Sequence, residues 1–558
     1  MGRVRRVLSV PLLLLLVLSV ACQPAAAPAA KPAEQAKPAE SKPAAAAPAA
    51  QGAATAKPAE AAKPAAAAPA AADAKPQAGG GLRVGINADL TTMDPHISTA
   101  AVDRQIYQSI YDPLLRLDKD LKIQPGLAQS WEQPDPKTLV FKLRSGVKYH
   151  DGEPFNAASV KANIERMLTH PKSQRKGELA DVASVEAVDE TTVRFILKQP
   201  SSPLLSLLTD RAGMMVSTKA AEAAGDDFAR KPVGTGPFSF VEWVKDDRLV
   251  VKKNPGYWDK DASGAQLPYL DEIQYKPITD GTQRLNALKT GTVDIIDIPP
   301  SKDMPTLKTG QELAYSEIPG LAYRYIQINT KRPVMESKEI RQAIAWSIDR
   351  EAINKVVFFD VGQPAYQAIP PSSFAFDSGF KANSPRDVNK AKELVAKSGI
   401  KDPKFTLVVT NTPEDKQIAE VYKEQLADVG ISMEIELLEF ATLLDRTLKQ
   451  EFDASSLQWS GRPDPDGNIY NYFHSKGSGN RSQYSNPEID RMLEQTRAVS
   501  DPAERKQLYS QVNQILTEDN PMIFIQHRPE VKVMSPKLKG FVHVPDGMMR
   551  FAAVTIAR

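Results

Sequence analysis

The chain has 558 residues, 70 of them Lys or Arg and 68 Asp or Glu, giving a formal net charge of +2 with a single cysteine. Charges that nearly balance leave no electrostatic footprint for nucleic acid, and one cysteine cannot build a disulfide framework within the chain. The length corresponds to about two or three domains.

The N-terminus reads "MGRVRRVLSVPLLLLLVLSVACQ". Arg3, Arg5 and Arg6 form a basic head, Val7 to Val20 an apolar core, and small residues lead to Cys22, the layout of a secretory signal. The apolar run is shorter than the ~20 residues that span a bilayer comfortably. Cys22 stands where a signal would be cut and resembles the lipidated Cys of a bacterial lipobox. The departure is Ser19, where a lipobox usually carries Leu; a plain secreted protein with an incidental Cys is the alternative. Residues 23–81 are nearly all Ala, Pro, Lys and Glu. Proline removes helix donors and few large apolar groups offset the entropy of ordering, so this segment is expected to be a disordered tether.

No later segment is apolar enough to cross a membrane, and no short-period repeat is visible. In "RSGVKYHDGEPFNAASV", Asp151-Gly152 marks a turn and Asn156 a helix cap. "GTGPF", Gly234 to Phe238, reads as a turn: it lacks the Lys-Ser/Thr of a phosphate loop and the third glycine of a dinucleotide fingerprint. In "DVNKAKELVAKSGI", Asp387 caps a helix with Val388, Ala391, Leu394 and Val395 on one face, and Gly399 stops it. "FTLVVTN", Phe405 to Asn411, is a β-branched run. Ile418, Val421, Tyr422 and Leu426 follow Pro413 at helical spacing, Gly430 stops that helix, and "ISMEIELLE" alternates from Ile431. Strand, helix, strand predicts a βαβ unit with a parallel pair. A second helix, Ala441 to Lys449, leads to a strand in "FDASSLQW". This part of the chain is α/β.

Catalytic constellations are thin. The six histidines are scattered. His150, His527 and His543 have carboxylates at i+3 (Glu153, Glu530, Asp546), but Gly or Pro in or beside each span argues against a shared helix face and the usual zinc motifs. With Cys22 at the terminus no thiol nucleophile remains, there is no G-x-S-x-G elbow, and no cofactor signature is present. Trp131, Trp243, Trp258 and Trp346 read as core anchors.

The richest stretch is "LQWSGRPDPDGNIYNYF", Leu457 to Phe473. It leaves the carboxyl end of a predicted strand, where open α/β sheets place their ligands. Three readings apply. Asp464, Asp466 and Asn468 match positions one, three and five of a calcium loop, but Ile469 and Ser475 stand where Gly and Glu belong. Pro463, Pro465 and Asp466-Gly467 favour a tight reversal. Or the segment, with Trp459 at its head, lines a ligand pocket.

Several phrases together resemble the family 5 solute-binding proteins of ABC importers, the group of dipeptide, oligopeptide and nickel binders. They are "TTMDPHISTA", "LAQSWEQPDPKTLVFKLRSGVKYHDGEPFNAASVKANIERM", "VGTGPFSFVEWVKDDRLVVKKNPGYW", "RLNALKTGTVDII", "SKEIRQAIAWSIDREAI" with "GQPAYQAIPP", and finally "YSNPEIDRMLEQ", "ERKQLYSQVNQILTEDNPMIFI" and "KVMSPKLKGF". They occur in the family's order and cover essentially all of Leu82 to Val544.

The resemblance implies a two-lobed periplasmic-binding-protein-like α/β fold of type II, in the large cluster with an extra subdomain and a hinge of two crossing segments. Lobe one is expected over 82–325, with an inserted subdomain at about 113–230, and again over 529–558. Lobe two is expected over 326–528, with "YIQIN" and "FIQHR" as the crossings. In the family's peptide binders an aspartate three residues after the matching Trp takes the peptide amine; here that place holds Arg462, a permanent cation with five donors. Arg462 is therefore expected to hold a carboxylate, or to pair with Asp464 or Asp466. The candidate ligand-binding residues are Trp459, Ser460, Gly461, Arg462, Asp464, Thr99, Ala100, Ala101 and Tyr366, with Cys22 for lipidation and no metal ligands. The implied function is capture of a peptide or similar small solute for an ABC permease by a monomer outside the cytoplasm, anchored to the cell membrane (in the periplasmic space if the cell has an outer membrane). A surface-tethered hydrolase and a sensor or adhesion lipoprotein are the competing readings.

Overall fold

A computed structural model describes residues 78–557; the signal segment, Cys22 and the tether up to residue 77 lie outside the described residues. Gly79 N donates to Tyr269 O at 2.8 Å, and Gly81 opens the first strand, Gly81–Ile86, so the last residues assigned to the tether belong to the folded body.

Lobe one is built on a seven-stranded sheet in the order Ala314–Ile318, Glu530–Met534, Ile295–Asp297, Gly81–Ile86, Glu272–Pro277, Arg248–Lys253, Phe238–Val244. Strands from the beginning, middle and end of the chain thus share one sheet. Inserted in this lobe is a four-stranded antiparallel sheet, Ala128–Asp135, Thr138–Leu143, Thr192–Leu197 and Val182–Ala187, covered by the helix Ala157–Thr169. Asn156 accepts from Ser159 N at the start of that helix and Ser159 Oγ accepts from Asn156 N, a reciprocal cap. The subdomain's apolar core runs from Leu114 to Met215, while Ala221 and Phe228 pack into the main core of lobe one.

Lobe two carries a six-stranded sheet in the order Gln363–Pro364, Met522–His527, Tyr323–Ile328, Ala454–Trp459, Lys404–Thr410, Ser432–Leu438. The βαβ unit is present: Lys404–Thr410 and Ser432–Leu438 pair in parallel and the helix Pro413–Ala427 connects them. The helix Val388–Lys397 is capped by Asp387, whose side chain accepts from Lys390 N. Tyr323–Ile328 is buried at every position and feeds two cores, Tyr323 and Tyr325 on one face and Ile326 and Ile328 on the other. That is the period-2 signature of a strand covered on both sides.

The hinge corrects the expectation about the crossings. Ile318 pairs with Glu530 in the sheet of lobe one, and Tyr323 pairs with His527 in that of lobe two. The chain therefore passes between lobes at 319–322 and again at 528–529. "YIQIN" lies inside lobe two, a few residues past the first crossing; "FIQHR" is a lobe-two strand whose Arg528 begins the second. A continuous apolar run marks a buried strand but does not tell which end leaves the sheet. The two crossings touch: a Cβ on Gly320 would lie 2.5 Å from Arg528 O, so only glycine lets the backbones approach this closely.

Candidate functional site in the cleft between the lobes

The strand Ala454–Trp459 delivers residues 460–465 to the mouth of the interlobe cleft, and the helix Asp466–Phe473 follows at once. The expected reversal at Asp466-Gly467 is instead the first turn of this helix. Asp464 Oδ1 accepts from Asp466 N at 2.9 Å and Asp464 O accepts from Gly467 N at 3.1 Å, which turns the chain into helix rather than back on itself. Gly467 leaves room for Arg462, whose Cγ would lie 2.6 Å from an added Cβ. Gly461 has φ +72°, and its own Cβ would lie 2.1 Å from Leu321 O, so this residue docks the loop onto the first crossing.

The side chains that resembled calcium ligands are all engaged by protein groups. Arg505 donates to both oxygens of Asp464 at 2.9 and 2.7 Å, and Arg497 to both oxygens of Asp466 at 2.7 and 2.8 Å. Asn468 Oδ1 accepts from Trp459 Nε1 and from Arg462 N at 2.9 and 2.8 Å. These bidentate pairs fix the start of the helix and leave no free carboxylate edge for a cation.

Arg462 does not pair with Asp464 or Asp466. Its Nε lies 2.9 Å from Asp210 Oδ2, on the turn after the lobe-one helix Leu204–Leu207, and its guanidinium sits 4.4 Å from the Trp459 ring centroid. Asp210 also accepts from Arg104 Nε at 3.0 Å, and Arg104 Nη1 donates to Ser460 Oγ at 3.0 Å. Residues from both lobes thus meet around one buried carboxylate. Burial alone would raise the Asp210 pKa, but Arg104, Arg462 and Arg211 outweigh it and hold the acid far below its ordinary value. For Arg462, burial and then the neighbouring Arg104 outweigh the attraction of Asp210 and bring the guanidinium down to about 9. One acid is shared among several cations.

Two adjoining chambers occupy the cleft. The larger, of about 500 Å³, lies between Asn87, Gly281 and Asp546 of lobe one and Thr410, Glu414 and Glu439 of lobe two. The smaller, of about 120 Å³, is bordered by Thr99, Ala100 and Ala101, at the start of the helix Ala101–Ile110, and by Trp459, Ser460 and Arg462 opposite. Ala101, Gln458 and Ser460 line both chambers. Six of the nine sequence-derived candidates therefore border the smaller chamber. Gly461 packs on the hinge instead, and Asp464 is held by Arg505. Tyr366 lies away from both chambers, correcting its assignment: its ring stacks over Arg350, and its hydroxyl is near Glu351 Oε1 and Ser384 Oγ at 3.4 and 3.3 Å.

The family model for bacterial extracellular solute-binding proteins, family 5, middle part, matches residues 122–480. The chain belongs to this family. Among curated relatives it is 30% identical over 477 residues to the glutathione-binding protein GsiB of Escherichia coli strain K12, covering 83% of this chain and 92% of that protein. Among solved structures it resembles DppA of Helicobacter pylori in complex with the peptide STSA (27% identity, TM-score 0.80, 86% of this chain and 99% of that one). AgaA of A. tumefaciens R10 in complex with agropinic acid is 29% identical with TM-score 0.79, over 86% of this chain and 99% of that one. AppA of Bacillus subtilis with a nonapeptide is 27% identical at TM-score 0.79, over 86% and 100% of the two chains.

In this family 5 solute-binding protein, sequence reasoning missed the cationic wall of the smaller chamber. Arg175 and Arg211 come from the inserted subdomain and its following turn, and Arg481 from lobe two. The available signal was weak: isolated arginines in "KSQRKGE" and "TDRAGMM" look like surface charge until the fold buries them to 3% and 2% exposure.

Proposed function

We propose that this protein is the capturing component of an ABC importer, closing its two lobes on a peptide or similar small organic solute and presenting it to a membrane permease. It acts as a monomer outside the cytoplasm, held at the cell membrane by a lipid on Cys22 and given reach by the segment that joins Cys22 to the folded body. The observation that carries this reading is the pair of chambers in the cleft between two lobes joined by two short crossings, with Arg462 and Asp210 paired across it. Space between two lobes that meet through a cross-cleft ion pair is what a protein that traps its ligand by hinge motion requires. Among the described residues no helix is long and apolar enough to cross a membrane, and the lipid supplies that attachment. The competing reading of a tethered hydrolase has, among the described residues, no nucleophile and base brought together in the cleft to support it.

The test is native mass spectrometry of the protein purified from its own source. A retained small molecule that leaves on partial unfolding is expected; a mass equal to the bare polypeptide, with no molecule released on denaturation, would overturn the proposal.

A further inference from the structure

The smaller chamber has an unbalanced wall. Four guanidiniums, those of Arg175, Arg211, Arg462 and Arg481, border it against one carboxylate, Glu178. Arg462 is neutralised from outside by Asp210, and Arg175 Nη1 donates to Glu178. Arg211 has no comparable partner: its Nη1 donates to Ser98 O and Ser98 Oγ at 2.9 and 3.3 Å, and its Nε is buried without a partner. Arg175 Nε and Gln327 Nε2, on the same wall, are likewise buried and unpartnered. Arg481 donates Nη1 to Ser478 O at 2.7 Å and faces only the neutral Gln174 side chain at 3.5 Å. A buried donor left unmade costs about 1–3 kcal/mol, and an uncompensated buried charge costs more. Three orphaned donors and one orphaned acceptor, Asn471 Oδ1, thus border one space, and the donors, two of them on guanidiniums, suit an acceptor that arrives from outside.

We infer that the smaller chamber receives a carboxylate of an organic ligand, seated against Arg211 and Arg175, while the rest of the ligand extends past Ser460 into the larger chamber. Guanidiniums outnumber carboxylates on this wall four to one, and a guanidinium edge matches the two oxygens of a carboxylate. Burial, with repulsion from Arg211 added to it and only partly offset by the attraction of Glu178, brings the Arg175 guanidinium down to about 10. Leu207, Phe440 and Leu444 also border the chamber, which suits a carbon-bearing acid better than a fully hydrated inorganic anion. No free carboxylate stands after Trp459 to take an ammonium, since Asp464 and Asp466 are spent on Arg505 and Arg497. The feature recognised at this chamber is therefore the acid end of the solute rather than an amine, and blocking the amine leaves this contact intact.

This inference rests on the solute-binding reading, and the experiment separates the two. The molecule released from natively purified protein is identified, and calorimetric titrations are run with glutathione, tri-alanine, N-acetyl-tri-alanine and tri-alanine amide. Expected are a retained molecule bearing a carboxylate, N-acetyl-tri-alanine within about threefold of tri-alanine, and the amide weaker by about 30-fold or more. Arg211→Gln and Arg175→Gln should each bring the free acids down toward the amide, with Arg211→Lys intermediate and circular dichroism confirming the fold of all three. A retained ligand without an acidic group, an amide that binds as tightly as its acid, binding of sulfate or phosphate in place of the acids, or failure of every acid to bind would each overturn the carboxylate assignment. The wider solute-binding reading falls only if the natively purified protein carries no molecule of any class.

Discussion

Arg462 of lobe two and Asp210 of lobe one face each other across the cleft at 2.9 Å, and both are more than nine-tenths buried. Breaking a buried pair by removing one partner costs about 3–5 kcal/mol when the remaining charge stays buried. Here the molecule has a cheaper response, since opening the hinge returns both groups to water. Asp210→Asn and Arg462→Ala should therefore act on closure more than on unfolding. The expected outcome is a larger radius of gyration by small-angle scattering, and amide exchange in 208–213 and 460–465 that rises together by about tenfold. A compact particle with unchanged exchange in both variants removes the latch.

The latch should also be indifferent to pH over the physiological range. Asp210 is held far below its ordinary value by three arginines. A depressed carboxylate contributes above its unfolded value and loses its contribution as pH falls below that, at about 4. Scattering curves recorded between pH 5 and 8 should superimpose, with expansion only under more acidic conditions.

Stability against unfolding should follow a different window. Burial lowers five histidines, His150 and His170 among them, and most strongly His96, to about 4, and His527 and His543, to about 3. A lowered base contributes fully above its unfolded value of about 6.5, and the contribution is lost as pH falls from there toward the folded value, roughly 2 kcal/mol per histidine by pH 5. His527 is the clearest probe: neither ring nitrogen has a partner, and Tyr323 and Phe376 pack edge-on against it beside the hinge. His527→Phe should leave stability at pH 7.5 equal or up to about 1 kcal/mol higher and remove about 1.5–2 kcal/mol of the loss between pH 6.5 and 5 in urea melts. An unchanged pH slope counts against the assignment.

Gly461 ties the ligand loop to the hinge. Alanine there would meet Leu321 O and adopt a left-handed backbone. Gly461→Ala should cost about 1–3 kcal/mol in denaturant melts, and Trp459 fluorescence should shift as the loop lifts.

Cation chemistry should be silent in this loop. Each acid that resembled a calcium ligand is clamped by arginine, so neither millimolar calcium nor a chelator should move the melting temperature. A shift of several degrees with calcium would return Asp464 and Asp466 to the status of ligands.

At the N-terminus, globomycin should cause a precursor to accumulate, and Cys22→Ser should release the protein from membranes. Normal processing in both cases would leave a freely secreted protein.

The sequence by itself determined what local pattern controls. The βαβ unit, the caps at Asn156 and Asp387 and the strand before Trp459 follow from periodicity and turn chemistry that neighbours in the chain supply. The same local reading placed Trp459 at a cleft, because a strand's carboxyl end has a predictable role in an α/β sheet, whereas Thr99 and Ala101 were offered by the family resemblance. Only the tertiary structure decided what each charge does. Arg462 was legible as a cation in the wrong place for an amine, but its partner lies 252 positions away, read from the two residue numbers, on a turn with no motif of its own. Nothing in the local sequence marks Arg211 and Arg175, because a guanidinium's role depends on burial and on which acids the fold brings beside it. The hinge was misplaced by a few residues for the same reason: a strand's apolar pattern records that it is buried, while the point where it leaves one sheet for another is set by pairing across the molecule.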